Sequence, residues 1–410
     1  MKLFRRTLSL LAVCAATLMF VPVDAQQDKD NGQLLGPRQD NPRFHRHPGK
    51  NIPNNYIVVL DQDPVGAAGD FARAAADADQ AILKTQTGRI THVYAHALVG
   101  FAAEMSEEDA IKLANDPSVL FVEEDSEMEI VVTQNGATWG LDRIDQAALP
   151  LSGTYTYTST GSGVTAYIID TGIRTTHTQF GGRAVVGFDA MGGNGQDCNG
   201  HGTHVAGTVG GSTYGVAKQV QLVAVRVLSC SGSGSTSGVI AGVNYVTSNH
   251  AANVRAVANM SLGGGVSTAL DTAVRNSIAD GVTYAIAAGN SNTNASNSSP
   301  ARVAEAITVG SSTRTDARSS FSNFGSVVDI FAPGSSITSA WSTSNTATAT
   351  ISGTSMASPH VAGVAARILQ SGFASPATVR NTIVNAASLN RLSGIPSGTA
   401  NRLLFRAGTQ

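Results

Sequence analysis

Apolar and polar positions follow two different patterns along the chain, with the change near residue 131. Before it, Tyr56-Ile57-Val58-Val59-Leu60 predicts a strand, Asp70 to Thr85 an Ala-rich helix, and Thr91 to Ala97 and Gly100 to Met105 two further strands. Ser106-Glu107-Glu108-Asp109 is a helix-start sequence, the helix runs to about Asn115, and Val119 to Glu123 predicts the last strand. The order β-α-β-β-α-β predicts a small ferredoxin-like α+β unit over 54–131.

From Val132 the strands become near-continuous β-branched runs: Val164 to Asp170, Gln221 to Leu228, Val254 to Leu262 and Val282 to Ala288. Helical patterns stand between them, from His201, from Thr236 to Asn249 and from Ser267 to Ala279. Apolar runs without alternation suit strands covered on both faces. Residues 132–410 are therefore predicted to form an α/β domain, a doubly wound, mostly parallel sheet with helices on both sides. Ligands of such sheets bind beyond the carboxyl ends of the strands, so polar residues there are the candidates for chemistry.

The first 53 residues fit neither pattern. Lys2, Arg5 and Arg6, an apolar stretch from Leu8 to Val21 and Val23-Asp24-Ala25 read as a signal peptide over 1–25, which implies secretion. Residues 26–53, rich in Gln, Asp, Asn and Pro, read as a disordered linker. Beyond the leader no run of about 18 apolar residues follows, which excludes a multi-span membrane protein and gives no membrane anchor. A net charge of −2 gives no argument for nucleic acid. That total conceals an asymmetry: residues 1–131 carry 12 Lys and Arg against 19 Asp and Glu, residues 132–410 carry 15 against 10. The basic part holds a single lysine, Lys218. Once the leader is removed, Cys198 and Cys230 remain, and an oxidising compartment favours a disulfide over free thiols.

Three polar residues stand at element boundaries on the expected edge. Asp170 ends a strand, where a carboxylate can orient an imidazole and stabilise its cation. His201 lies at the start of a helix in Asp197-Cys198-Asn199-Gly200-His201-Gly202-Thr203-His204. Ser355, in Gly353-Thr354-Ser355-Met356-Ala357-Ser358, begins a long apolar helix whose N–H groups could face a developing oxyanion. Singly, each has an ordinary structural explanation as a turn former, a structural His or an N-cap. Jointly, in the order Asp, His, Ser, they point to nucleophilic serine catalysis. A zinc hydrolase is the competing reading, with Asp197, Cys198, His201 and His204 as ligands, although His-Glu-x-x-His is absent. An esterase of the α/β-hydrolase type is disfavoured by the triad order, and an inactive binding module is opposed only by the retained catalytic residues.

The segments around Asp170, His201 and Ser355 resemble the three signatures of the subtilisin-like serine proteases. Asn199-Gly200-His201-Gly202-Thr203-His204 is similar to the proteinase K branch, particularly its secreted bacterial aqualysin-like members, over 137–406. Residues 54–130 resemble the inhibitory propeptide of that family. The resemblance implies a monomeric secreted endopeptidase with an Asp170, His201, Ser355 triad and Asn290 in the oxyanion hole. It implies peptide-binding strands at Ser231-Gly232-Ser233-Gly234 and Ser261-Leu262-Gly263-Gly264. Gly263, Gly264, Ala288 and Gly289 then wall an uncharged pocket for apolar or aromatic side chains. The sequence departs from proteinase K at Thr236, where a larger aromatic closes a neighbouring pocket. A Cys198–Cys230 bridge is implied, and so is structural Ca²⁺ at Asp142, Asp145 and Gln146, with a second site at Asp329 and the carbonyls of Ala304 and Ala306. No catalytic metal is implied. The implied partners are protein or peptide substrates and the chain's own propeptide, expected to act as intramolecular chaperone and inhibitor until cleavage near Val131-Val132. Asn259-Met260-Ser261 fits a glycosylation sequon and is taken as accidental in a strand at the active site.

Overall fold

The computed structural model describes residues 41–46, 51–61, 71–126 and 131–407. The signal segment, most of the linker and the acidic stretch 127–130 lie outside the described residues. The chain divides into two compact units between Glu127 and Met128.

The first unit is a five-stranded sheet with two helices. Its strands are β1 (Phe44–His45), β2 (Asn51–Leu60), β3 (Arg89–Tyr94), β4 (Gly100–Glu104) and β5 (Val119–Ser126), in the order β1-β5-β2-β4-β3. All pairs are antiparallel except β1 with β5. Helices α1 (Phe71–Ile82) and α2 (Glu107–Ala114) supply Ala74, Ala78, Ala110 and Leu113 to a core shared with Val58, Phe101 and Val122. Ser106 caps α2 by accepting from the Asp109 N–H, as its sequence predicts. One expectation is corrected here. The linker assigned to 26–53 contains β1 and the start of β2. Arg43 fastens β1 to the sheet edge by donating to the carbonyls of Asp116 and Val119.

The second unit is built on a nine-stranded sheet. A hairpin of β6 (Val132–Asn135) and β7 (Thr154–Tyr157) brackets the short helix α3 (Trp139–Ile144). The sheet strands are β8 (Thr165–Asp170), β9 (Ala184–Asp189), β10 (Gln221–Arg226), β11 (Ala256–Met260), β12 (Thr283–Ala287), β13 (Ile307–Ser312) and β14 (Ile330–Pro333). A second hairpin, β15 (Ile337–Ala340) with β16 (Thr348–Ile351), precedes the last two sheet strands, β17 (Ser388–Leu389) and β18 (Arg402–Leu403). The order is β17-β18-β14-β13-β12-β11-β8-β10-β9, parallel throughout except β17 with β18.

Successive residues of β8 show why the runs are unbroken. Ala166 and Ile168 enter one core with α4 (His201–Gly210) and α7 (Thr354–Leu369). Tyr167 and Ile169 enter the other with α5 (Thr236–Asn249) and α6 (Thr268–Ala279). Burying Ile168 and Ile169 contributes about 1.5–3 kcal/mol each, and a polar residue at either would forfeit that. Ser235 and Ser267 cap α5 and α6. The final helix, α8 (Pro376–Ala386), starts with proline at its first turn and is capped by Ser375. Arg143 of α3 is fully buried and binds Asp316 through two parallel bonds of 2.7 and 3.0 Å, tying the N-terminal segment to the loop after β13. Lys218 is also buried, its ammonium donating to the carbonyls of Ser212, Thr213 and Gly215 beside the rings of Tyr155 and Tyr157.

Candidate active site

Asp170 is the last residue of β8, wholly buried at the carboxyl edge of the sheet. Its carboxylate accepts from the Thr171 N–H and faces His201 Nδ1 at 2.8 and 3.0 Å. His201 is the first residue of α4, which lets its ring reach back over the strand end. Gly200, at φ +116°, turns the chain into the helix. A side chain at Gly202 would strike the Gly172 carbonyl at 2.2 Å, so glycine there lets the helix approach β8. Burial disfavours the imidazolium. The charge and hydrogen bond of Asp170, with Asp197 behind them, outweigh it and hold His201 above its ordinary pKa.

Ser355 is the second residue of α7, and its hydroxyl donates to the Ser261 carbonyl at 3.1 Å. Ser261 Oγ in turn donates to the Ser355 carbonyl, and buried Asn259 joins both elements by donating to Ser261 Oγ and accepting from Ser358 Oγ. With both ends of its amide engaged and 1% exposure, Asn259 is closed to glycosylation. Asn290 follows β12. Its Oδ1 accepts from the Thr354 N–H and hydroxyl, both at 2.8 Å, which leaves the Nδ2 donors facing away from Thr354. Asn323 is a site residue that the sequence reading missed. It donates to the Ala288 carbonyl and accepts from Ser291 and Thr293, holding the loop that carries Asn290.

Two adjoining cavities of about 470 Å³ meet at these residues. One is lined by His201, Gly232, Ser233, Gly234 and Ser261. The other is lined by Ala288, Gly289, Asn290 and Ser355, and Leu262, Gly263 and Gly264 wall both. None of the lining groups of the second is charged. Ser231 lines neither cavity; it lies in a tight turn with Gly232, in a ladder of hydroxyls with Ser229 and Ser233. Thr236 lines the first cavity with Leu228, Val239 and Leu270. Cys198 and Cys230 form a disulfide that joins the loop before His201 to the segment at Ser231, and Asn199 adds a bond to the Cys230 carbonyl.

The metal expectations divide. Asp142, Asp145 and Gln146 do come together at the end of α3, where Gln146 donates to the Asp142 carboxylate. Ser152 and Gly153 donate to the same carboxylate. Asp145 Oδ1 is buried without a hydrogen-bond partner, and burial, with the charge of Asp142 adding to it, pushes its carboxyl up to about 6. At the second site Arg380 pairs with one oxygen of Asp329 and the Thr308 N–H takes the other, while Ala304 and Ala306 offer only backbone carbonyls. The zinc reading loses its donors as well: Cys198 is bridged, Asp197 accepts five protein donors, and His204 Nε2 bonds to the Ile337 carbonyl.

Comparison with known proteins fixes the class. The family model "Subtilase family" matches residues 161–408 and "Peptidase inhibitor I9" matches 55–131. The chain belongs to the subtilase family: it is a subtilisin-like serine proteinase preceded by an inhibitor I9 propeptide. It is 53% identical over 369 residues to an extracellular serine proteinase of a Thermus species, covering 86% of this chain and 90% of that protein. It is 51% identical to the alkaline serine exoprotease A of Vibrio alginolyticus, over 86% of this chain and 67% of that protein. A crystal structure of a cold-adapted subtilisin-like serine proteinase is similar at 57% identity and a TM-score of 0.64, over 66% of this chain and 98% of the other. Among the described residues no helix is long and apolar enough to cross a membrane.

Proposed function

We propose that the chain is a secreted endopeptidase that cleaves after apolar or aromatic residues through Asp170, His201 and Ser355, and that it is made as a self-processing zymogen. The observation that carries this is the Asp170–His201 pair at 2.8 Å on a cleft whose adjoining wall holds Ser355 and Asn290. Ser355 leaves its bond to the Ser261 carbonyl, gives its proton to His201 Nε2 and attacks the peptide carbonyl. Asp170 keeps the Nδ1 proton in place and stabilises the imidazolium. Asn290 donates its amide to the oxyanion with a backbone N–H at the start of α7. His201 then protonates the leaving amine, and water, deprotonated by the same ring, releases the acyl group. An extended peptide pairs with Gly232–Gly234 on one side and Ser261–Gly263 on the other, its side chain entering the uncharged pocket.

Asp142, Asp145 and Gln146 fit structural Ca²⁺, because Asp145 presents a buried, unpartnered oxygen beside a second carboxylate. The ion would neutralise that pair and take no part in peptide cleavage. Secretion is supported by the leader-like sequence and by the extracellular Thermus relative.

Ser355→Ala tests the assignment. Hydrolysis of a peptide anilide should fall to a residue of about 10³–10⁴ over water, with loss of labelling by a serine-directed phosphonate. Turnover near wild type would remove Ser355 as nucleophile.

A further inference from the structure

We propose that Asp197 is a positioning residue for His201, a second buried carboxylate that locks the strand carrying Asp170 to the helix carrying His201 and lends its charge to the imidazolium. The inference rests on the triad reading above.

Asp197 is 8% exposed and accepts five hydrogen bonds. Its Oδ1 takes the Thr171 hydroxyl and the N–H groups of Asn199 and Gly200, each at 2.9 Å. Its Oδ2 takes the N–H and hydroxyl of Thr203, at 2.9 and 2.6 Å. These donors flank the triad. Thr171 follows Asp170, Gly200 precedes His201, and Thr203 lies in the first turn of α4. The Thr171 hydroxyl also accepts from the Gly202 N–H at 2.9 Å, which closes a ring around the Asp170–His201 contact. Only a carboxylate can receive donors on both oxygens in this way; an amide would turn its NH₂ toward donors.

The contrast with Asp189 shows what the charge is free to do. Asp189 ends β9, accepts from Met191 and Gly195, and is paired with Arg226. No Lys or Arg among the described residues pairs with Asp197. Its charge faces the N-terminus of α4 and His201, while the Arg226 guanidinium, which donates to Cys198 Sγ, is paired with Asp189. The other titratable groups around the ring are Asp170 from β8 and His204 on α4. Burial pushes His204 down to about 4, so it stays neutral in the working range. Two carboxylates thus face one cation, and removing either favours the neutral ring.

The experiment measures kcat and KM for a peptide anilide against pH in wild type, Asp197→Asn and Thr171→Val, each secreted as the full chain. Asp197→Asn should lower the kcat plateau by about 10- to 100-fold with KM nearly unchanged. It should also move the acid limb of kcat/KM down by roughly 0.5–1 pH unit, since a less basic His201 loses its proton earlier. Thr171→Val, which breaks the ring and keeps the charge, should lower the plateau and leave the limb in place. An unmoved limb in Asp197→Asn, or an equal shift in Thr171→Val, overturns the electrostatic role. If Asp197→Asn is not secreted, Thr171→Val decides alone, and a wild-type plateau there overturns the positioning role. Failure of the triad reading is separate: it shows as retained activity in Ser355→Ala.

Discussion

Asn290 has two ends with separate duties. Its oxygen is consumed by Thr354, so the orientation of its amide nitrogens is decided before any substrate arrives. Asn290→Leu should therefore lower kcat by about 10²–10³ with KM little changed, read from steady-state hydrolysis of a peptide anilide. Asn290→Asp keeps the acceptor for Thr354 and should lose as much, which separates the lost donor from a loosened helix start. A rise in KM with kcat intact would reduce Asn290 to a ground-state contact. At this scale the sequence was legible wherever a residue type is unusual for its place. Asp170, His201 and Ser355 sit at element ends among glycines, and their order is informative. Asn323 was not legible, because its partners Ala288, Ser291 and Thr293 lie about 30 residues away and nothing local marks it. Asp197 stood inside a recognised motif, yet its five donors appear only once strand and helix are docked.

Elements were legible in proportion to how fully they are buried. β8, β10, β11 and β12 have apolar residues on both faces and were read directly. β9 lies at the sheet edge with Val185 and Val186 exposed, and β13 ends in the polar stretch Gly310-Ser311-Ser312, where the Ser311 hydroxyl pairs with that of Ser319; neither carries a continuous run. The short helix α3 has few residues for a periodic signal, although its acidic cluster was noticed. The same helix gives an element-scale prediction. Adding Ca²⁺ to chelator-treated enzyme should raise the unfolding temperature, and Asp145→Asn should abolish most of that increment while leaving kcat unchanged. If Asp145→Asn responds to Ca²⁺ as wild type does, the ion binds elsewhere. The partner of Asp329 was not legible for a reason of tertiary distance, since Arg380 lies 51 residues further on and reaches back to the carboxylate.

For the whole molecule, the acidic first unit and the basic second one were visible as charge alone, and the two units emerge as separately cored bodies. A sheet assembled from strands in the order β14-β13-β12-β11-β8-β10-β9 needs many pairings between distant segments, and such topologies fold slowly. A compact partner that folds first could template that search, and this is the role we assign to 54–131. Residues 132–410, unfolded and diluted, should regain peptidase activity faster when 26–131 is supplied in trans, and excess 26–131 should then inhibit it. Equal recovery without it would end the chaperone role. Active secreted enzyme that still carries 54–130 covalently would end the cleavage.

The buried ammonium of Lys218 has a practical consequence. It is the single lysine after residue 131, and three carbonyls and two tyrosine rings enclose it. A mature domain cut near Val131-Val132 would then offer amine-reactive reagents one accessible group, the α-amine created by the cut itself. A dye or a solid support coupled through amines would attach at a single, known point, remote in sequence from Ser355. Before the cut that amine does not exist, and the lysines of the first unit, Lys84 and Lys112 among them, take the label instead. Moving the label from one unit to the other would time maturation without any substrate being added.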